Sequence, residues 1–139
     1  TGVQTCALPI CILKRWRSWR TSRIPLGRRG EDYAVRYLKR LGYTILERNA
    51  VFGRYELDII AREDDTIAFV EVKTRRSSQM AEPQDNLTPQ KRRHIQAAAQ
   101  HYLSLHDEPE TYYRYDVVCI EFSEAAAPEI TLFRDAFQE

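Results

Sequence analysis

Two short apolar runs with charged residues inside them constrain this chain more than any other feature. Glu56-Leu57-Asp58-Ile59-Ile60-Ala61 and Ile67-Ala68-Phe69-Val70-Glu71-Val72-Lys73 flank the polar stretch Arg62-Glu63-Asp64-Asp65-Thr66. Such runs on either side of a polar turn read as a hairpin of buried strands. Asp58, Glu71 and Lys73 sit where a buried strand tolerates charge only if it is paired, hydrogen-bonded or bound to a metal. Side chains alternate along a strand, so Glu56 shares a face with Asp58, and Glu71 with Lys73. A turn centred between Asp64 and Asp65 sets Asp58 opposite Glu71 and Glu56 opposite Lys73. A slip of one residue would part the two acids. Two carboxylates converging beside a lysine make a site for a hard divalent cation and an activated water. The competing reading is a solvated sheet face with cross-strand Glu56–Lys73 pairing, worth under about 1 kcal/mol.

Residue usage weighs on the choice. The chain has seventeen Arg but only four Lys: Lys14, Lys39, Lys73 and Lys91. A basic position here is normally Arg, so Lys73 reads as needed for its compact ammonium, which can approach a water or phosphate. The Asp…Glu-x-Lys pattern resembles the signature of the PD-(D/E)xK nuclease superfamily, an Asp on one strand and Glu-x-Lys on the next. With twelve Glu in the chain, a chance Glu-x-Lys is not rare. The apolar setting and the carboxylate on the neighbouring strand give this one its weight.

From Gly27 onward the chain resembles the bacterial YraN family of small proteins similar to Holliday-junction resolvases. The resemblance runs through Gly27-Arg28-Arg29-Gly30-Glu31-Asp32-Tyr33-Ala34, Gly42-Tyr43-Thr44-Ile45-Leu46-Glu47-Arg48-Asn49 and Glu56-Leu57-Asp58-Ile59-Ile60-Ala61. It continues with Phe69-Val70-Glu71-Val72-Lys73-Thr74-Arg75, Lys91-Arg92-Arg93-His94-Ile95 and Arg114-Tyr115-Asp116-Val117-Val118. It implies a restriction-endonuclease-like core. It also implies that Glu31, on the first helix, is the helix-borne acid that completes the metal shell; a surface acid favoured by the helix dipole is the plainer reading. In one respect the chain departs from the family: Tyr55 precedes Glu56 where glycine is usual, and Gly53 lies two residues earlier.

A chain of 139 residues is enough for one domain with one core. No apolar run approaches 18 residues, so no membrane span is expected. Thr1-Gly2-Val3-Gln4-Thr5-Cys6-Ala7-Leu8-Pro9-Ile10 resembles the translation of a sequencing-library adapter and is set aside from fold reasoning. With Cys6 and Cys11 set aside as well, Cys119 is left as a core hydrophobe, which fits a reducing cytoplasm. Residues 11–30 hold seven bases and no acid, while all twenty acids lie beyond them. A basic arm on an acidic body points to a polyanion, and Trp16 and Trp19 could stack on bases or sit at a membrane surface. Residues 1–26 are therefore read as adapter-derived sequence plus a disordered basic leader, and 27–139 as the single domain.

Helical spacing of Ala34, Tyr37, Leu38 and Leu41 predicts a helix from Gly30 to Leu41, capped by Gly42. Tyr43–Arg48 reads as a strand, Asn49–Arg54 as a turn, and Arg75–Leu87 as a mobile polar loop. Thr88-Pro89 signals the start of a helix to Leu105, with Ile95, Ala98, Ala99, Tyr102 and Leu103 inward. Tyr115–Phe122 and Glu129–Phe133 complete an αβββαββ order and a mixed sheet flanked by helices. His94 and His101 lack a third ligand at metal spacing and read as packed or solvated helix residues.

The expected function is metal-dependent endonucleolytic hydrolysis of nucleic acid, with branched DNA as a candidate substrate and Mg²⁺ or Mn²⁺ as cofactor. Asp58, Glu71 and the Val72 carbonyl are the expected ligands, with Lys73 as the water-orienting group and Glu31 and Glu56 in supporting catalytic places. Arg75, Arg76, Lys91, Arg92 and Arg93 are the expected phosphate contacts. Action on a two-fold junction would favour a homodimer. The alternatives are a non-catalytic nucleic-acid-binding module on the same fold and a protein-interaction adaptor.

Overall fold

The charged stretch between the two runs closes on two residues. Glu63 pairs with Thr66, and Asp64 takes a φ of 53°, a left-handed conformation that Asp tolerates and two-residue hairpin turns use. The computed structural model describes residues 2–6, 26–76, 87–106, 108, 110–124 and 126–138. Their elements are β1 (Val3–Cys6), α1 (Leu26–Arg40), β2 (Thr44–Phe52), β3 (Tyr55–Glu63), β4 (Thr66–Arg76), α2 (Pro89–Leu105), β5 (Tyr112–Phe122) and β6 (Glu129–Phe137). All these strands lie in one sheet, ordered β1-β6-β5-β4-β3-β2. β4 and β5 run parallel, and the other neighbours are antiparallel. From α1 onward the order is the expected αβββαββ, and the mixed α/β architecture is consistent with a restriction-endonuclease-like core.

Each helix covers one face. Tyr33, Ala34, Tyr37 and Leu38 of α1 pack on Ile59, Ala61, Ala68, Val70, Val118 and Ile120. Ile95, Ala98, Ala99 and Tyr102 of α2 pack on Ile60, Ile67, Phe69, Val117 and Cys119. The two sets take alternate residues of the central strands, as the pleat requires. The Thr88 side chain accepts a hydrogen bond from the Lys91 N–H at 3.2 Å and Pro89 opens the helix, so α2 starts where its cap signal placed it. A Cβ on Gly30 would meet the Thr74 Cγ2 at 2.0 Å. Only glycine lets α1 come this close to β4, and that approach carries the next residue, Glu31, to Asn49 of β2.

Several boundaries differ from expectation: β4 runs on through Arg75 and Arg76, expected at the start of a loop, β5 begins at Tyr112 rather than Tyr115, and β6 continues to Phe137 rather than Phe133. α1 begins at Leu26 rather than Gly30. β2 continues through Asn49–Phe52, read from sequence as a turn, because its pairing with β3 persists to Phe52↔Tyr55. The sharp turn is made instead at Gly53, with a φ of 62°, which accounts for Tyr55 standing in place of the family's glycine. Within the adapter-like stretch set aside from fold reasoning, Val3–Cys6 pairs with β6 from Val3↔Phe133 to Cys6↔Ile130. An edge strand leaves unpaired backbone groups, and a short β-branched segment satisfies them without a core of its own. Residues 7–25, with Trp16 and Trp19, and residues 77–86 of the expected loop lie outside the described residues. No helix among the described residues is long and apolar enough to cross a membrane.

Candidate functional site

The site lies where the β3–β4 ladder gives out. Paired residues run from Glu63↔Thr66 back to Ile59↔Val70, a register that sets Asp58 against Glu71 as the turn position predicted. At that point the Asp58 Oδ2 accepts a hydrogen bond from the Val72 N–H at 2.8 Å, so a side chain takes over from the ladder. Leu57 and Ile60 both join the α2-side cluster, although three residues apart on a regular strand they would face opposite ways. The backbone therefore turns locally at Asp58. On the neighbouring strand Asn49, between the pairs Arg48↔Ile59 and Ala50↔Leu57, has a φ of 50°. Its Nδ2 donates to Glu31 Oε2 at 2.9 Å.

Glu71 is 5 % exposed. Its Oε1 lies 3.0 Å from Lys73 Nζ, and its Oε2 lies 3.2 Å from Lys91 Nζ. The second contact is an ion pair without hydrogen-bond alignment, since Oε2 is buried and accepts no hydrogen bond among the described residues. Burial, and next the charge of Glu71, push the Asp58 carboxyl up to about 7. The Val72 N–H and Lys91 oppose this rise, and Glu31 adds to it. One of two neighbouring acids thus resists ionisation, chiefly because it is buried; burial likewise raises Asp116, which is bonded to Arg114.

Sequence reasoning is corrected in two places. Lys91, expected on a phosphate-binding surface, reaches into the site from α2. Glu56, expected across from Lys73, is exposed and in register with Val51; the ladder ends before that pair could form, and Lys73 pairs with Glu71. The Val72 N–H points to Asp58, and an extended residue sends its N–H and C=O to the same side. Arg75 pairs with Glu121, with Nη2 2.6 Å from its carboxylate. Arg92 donates from Nε to the Leu87 carbonyl at 3.2 Å, and its guanidinium lies 5.7 Å from the Phe137 ring centroid. Arg76 and Arg93 are exposed. His94 and His101 pack against Tyr55 and Phe52, as expected of helix residues. Burial pushes the Cys119 thiol up to about 11, which suits a core side chain.

Among the described residues, no group of three or more His, Cys, Asp or Glu is placed to hold a metal ion. A cation here would rest on Asp58, Glu71 and a backbone oxygen, with water completing the shell. Mg²⁺ is commonly held by one or two carboxylates in this way.

A second polar cluster, unrecognised from sequence, occupies the other end of β3. Arg114 donates to both oxygens of the fully buried Asp116, at 3.0 and 3.1 Å, and to Glu63 Oε2 at 2.6 Å. Arg134 donates to Glu63 Oε1 at 2.7 Å. The Tyr43 hydroxyl accepts from Arg114 at 2.7 Å and from Arg134 at 2.9 Å. Asp116 within the apolar run of β5 is the same kind of signal as Asp58 within β3.

Comparison with known proteins places the chain. A UPF0102 protein of Caldicellulosiruptor saccharolyticus is 41% identical over 113 residues, covering 81% of this chain and 96% of that protein. One from Geotalea uraniireducens is 47% identical over 116 residues, covering 81% and 89%. One from Geobacter sulfurreducens is 42% identical over 113 residues, covering 81% and 88%. The family described as "Uncharacterised protein family UPF0102" matches residues 30–120, a span that takes in Glu31, Asp58, Glu71, Lys73 and Lys91. The chain belongs to the UPF0102 family.

Proposed function

We propose that this protein is a divalent-metal-dependent endonuclease that hydrolyses phosphodiesters of DNA, branched forms included. The observation that carries the reading is the under-neutralised acid pair: a buried Glu71 oxygen without a hydrogen bond beside an Asp58 carboxyl raised to about 7. These residues fit a divalent cation, which would supply the missing positive charge and satisfy the bare oxygen. Asp58, Glu71 and the Val72 carbonyl would hold Mg²⁺ or Mn²⁺, and the ion's contribution when bound is Lewis acidity toward a phosphate oxygen. Lys73, whose side chain is 33% exposed, orients the attacking water and neutralises charge developing on the phosphate. Asn49 fixes Glu31, which steers polar groups beside Asp58. The first turn of α2 holds Lys91, Arg92 and Arg93 and no acid, and the helix dipole there favours phosphate.

A second reading has its own support. Both Glu71 oxygens already face lysine ammonium groups, so the same fold could serve as a nucleic-acid binder that needs no metal.

A cleavage assay on four-way-junction, flapped and linear DNA tests the choice. Wild type should cleave with Mg²⁺ and stop with EDTA, and Asp58→Ala should be inactive. Lys73→Ala should lose cleavage by about 10²-fold or more with little loss of DNA affinity, because Lys73 acts on charge that develops in the transition state. Lys73→Arg should also be poor. Arg92→Ala should instead weaken binding across sequences and flatten the salt slope by about one unit. Metal-dependent cleavage that survives Lys73→Ala would remove Lys73 from the mechanism. DNA binding without cleavage by any form would leave the binder.

A further inference from the structure

The Glu71 carboxylate stands between two ammonium groups that come from different elements, and the two contacts are not equivalent. Lys73 is two residues along the same strand, whereas Lys91 is the third residue of α2. The oxygen that Lys91 faces at 3.2 Å accepts no hydrogen bond although it is buried. An ion pair that lacks hydrogen-bond alignment is a weak hold on a desolvated carboxylate. The Lys91 side chain is 35% exposed against 5% for Glu71, so its head group can swing toward solvent while its stem stays packed. The helix need not move with it, because the Thr88 side chain anchors the Lys91 backbone N–H. Beside Lys91 lie the exposed Arg92 and Arg93, in a helix turn suited to phosphate.

We propose that Lys91 is an internal stand-in for a divalent cation at Glu71 Oε2, displaced when the ion binds and transferred to a backbone phosphate of the nucleic acid. Metal and substrate then bind cooperatively through one lysine. The inference rests on the metal-site reading above. An ammonium and a divalent ion repel at contact distance, so they compete for the one oxygen. A phosphate that accepts the released ammonium favours the metal-bound form, and by linkage the metal strengthens phosphate binding by the same factor. Glu71 is left without a cation in neither state.

The test uses the full chain and measures Mn²⁺ binding by electron paramagnetic resonance for wild type, Lys91→Met and Asp58→Ala. Lys91→Met should bind Mn²⁺ about tenfold more tightly than wild type in the absence of DNA, or about 1.4 kcal/mol, because its competitor is gone. Fluorescence anisotropy with a labelled duplex should show Ca²⁺ strengthening wild-type DNA binding relative to EDTA, and that gain should largely vanish in Lys91→Met. Mn²⁺ binding by Lys91→Met that is equal to or weaker than wild type overturns the proposal and leaves the metal site standing. Equal Mn²⁺ binding by wild type and Asp58→Ala overturns both. If Lys91→Met fails to fold without metal, Lys91→Gln takes its place, and thermal unfolding decides: Mn²⁺ should raise the variant's Tm more than that of wild type, and an equal or smaller rise counts against the stand-in role.

Discussion

The two ends of β3 carry charge on opposite terms. At the Glu63 end, Arg114 and Arg134 meet Glu63 and Asp116, and each Glu63 oxygen receives a guanidinium hydrogen bond. At the Asp58 end, Lys73 and Lys91 face Asp58, Glu71 and Glu31, and one buried oxygen has no hydrogen bond. The cation types differ accordingly. Arginine's planar fork locks several acceptors at once, whereas lysine's flexible stem presents a point charge that can move away. Buried charge alone therefore does not mark a functional site. On the function proposed above, the mark is the imbalance that remains after the protein's own partners are counted, together with lysines whose head groups reach solvent.

The comparison breaks first at Arg114. Arg114→Met strips the fully buried Asp116 of its charged partner, leaving it the Asp135 N–H at 3.0 Å, and should cost about 3–5 kcal/mol in chemical denaturation, with no recovery on adding Mn²⁺. Survival of that variant with near wild-type stability would mean the closed cluster is dispensable. A smaller loss, about 1–3 kcal/mol, is expected for Gly30→Ala, whose Cβ would collide with the Thr74 Cγ2. Thr74→Ser, which deletes that methyl, should recover most of it in the double variant; without recovery, the close approach of α1 and β4 is not what the glycine serves.

The third variant should have the opposite sign. Folding raises the Asp58 pKa, so the native state holds more protons than the unfolded chain between about pH 4 and pH 7. Metal-free stability from this group therefore falls as pH rises through that window. Asp58→Asn should stabilise the protein by about 1–2 kcal/mol at pH 8 in EDTA, a discounted share of the shift, and by nothing near pH 4. Glu63 runs the other way: burial raises its pKa, but Arg114 and Arg134 outweigh that and hold it low. Its contribution is present above its unfolded pKa and is lost on acidification. Destabilisation by Asp58→Asn at pH 8 would erase the contrast between the two ends.

What could be read from sequence follows the range of the interactions. The hairpin register was legible because a two-residue turn and alternating burial leave one solution, and that alone faces Asp58 with Glu71. The start of α2 was legible because Thr88 and Pro89 act within one turn. Asn49 misled because a residue with positive φ reads locally as a turn, while the ladder with β3 carried the strand past it. Lys91 escaped because its place depends on how α2 crosses between two strands, which nearby residues do not encode. Val3–Cys6 escaped because its adapter-like sequence removed it from fold reasoning, while edge pairing asks only for backbone groups. The Glu63 cluster needed four separate segments to converge, although Asp116 was a visible clue.

The parallel pairing of β4 with β5, from Thr66↔Tyr112 to Arg76↔Phe122, has a kinetic consequence. β2, β3 and β4 join through tight turns, so their closure costs little chain entropy and is fast. β5 must return past the whole of α2 before its ladder forms. The acid pair is thus drawn together early, while the lysine from α2 arrives late, and for a time the nascent hairpin has only Lys73 beside its two acids. Pulsed hydrogen exchange during refolding should show the amides of Ala61 and Ala68, which pair across the hairpin, protected before that of Val118. Divalent ions, added at that stage, should speed the hairpin by screening the charges before Lys91 is in place.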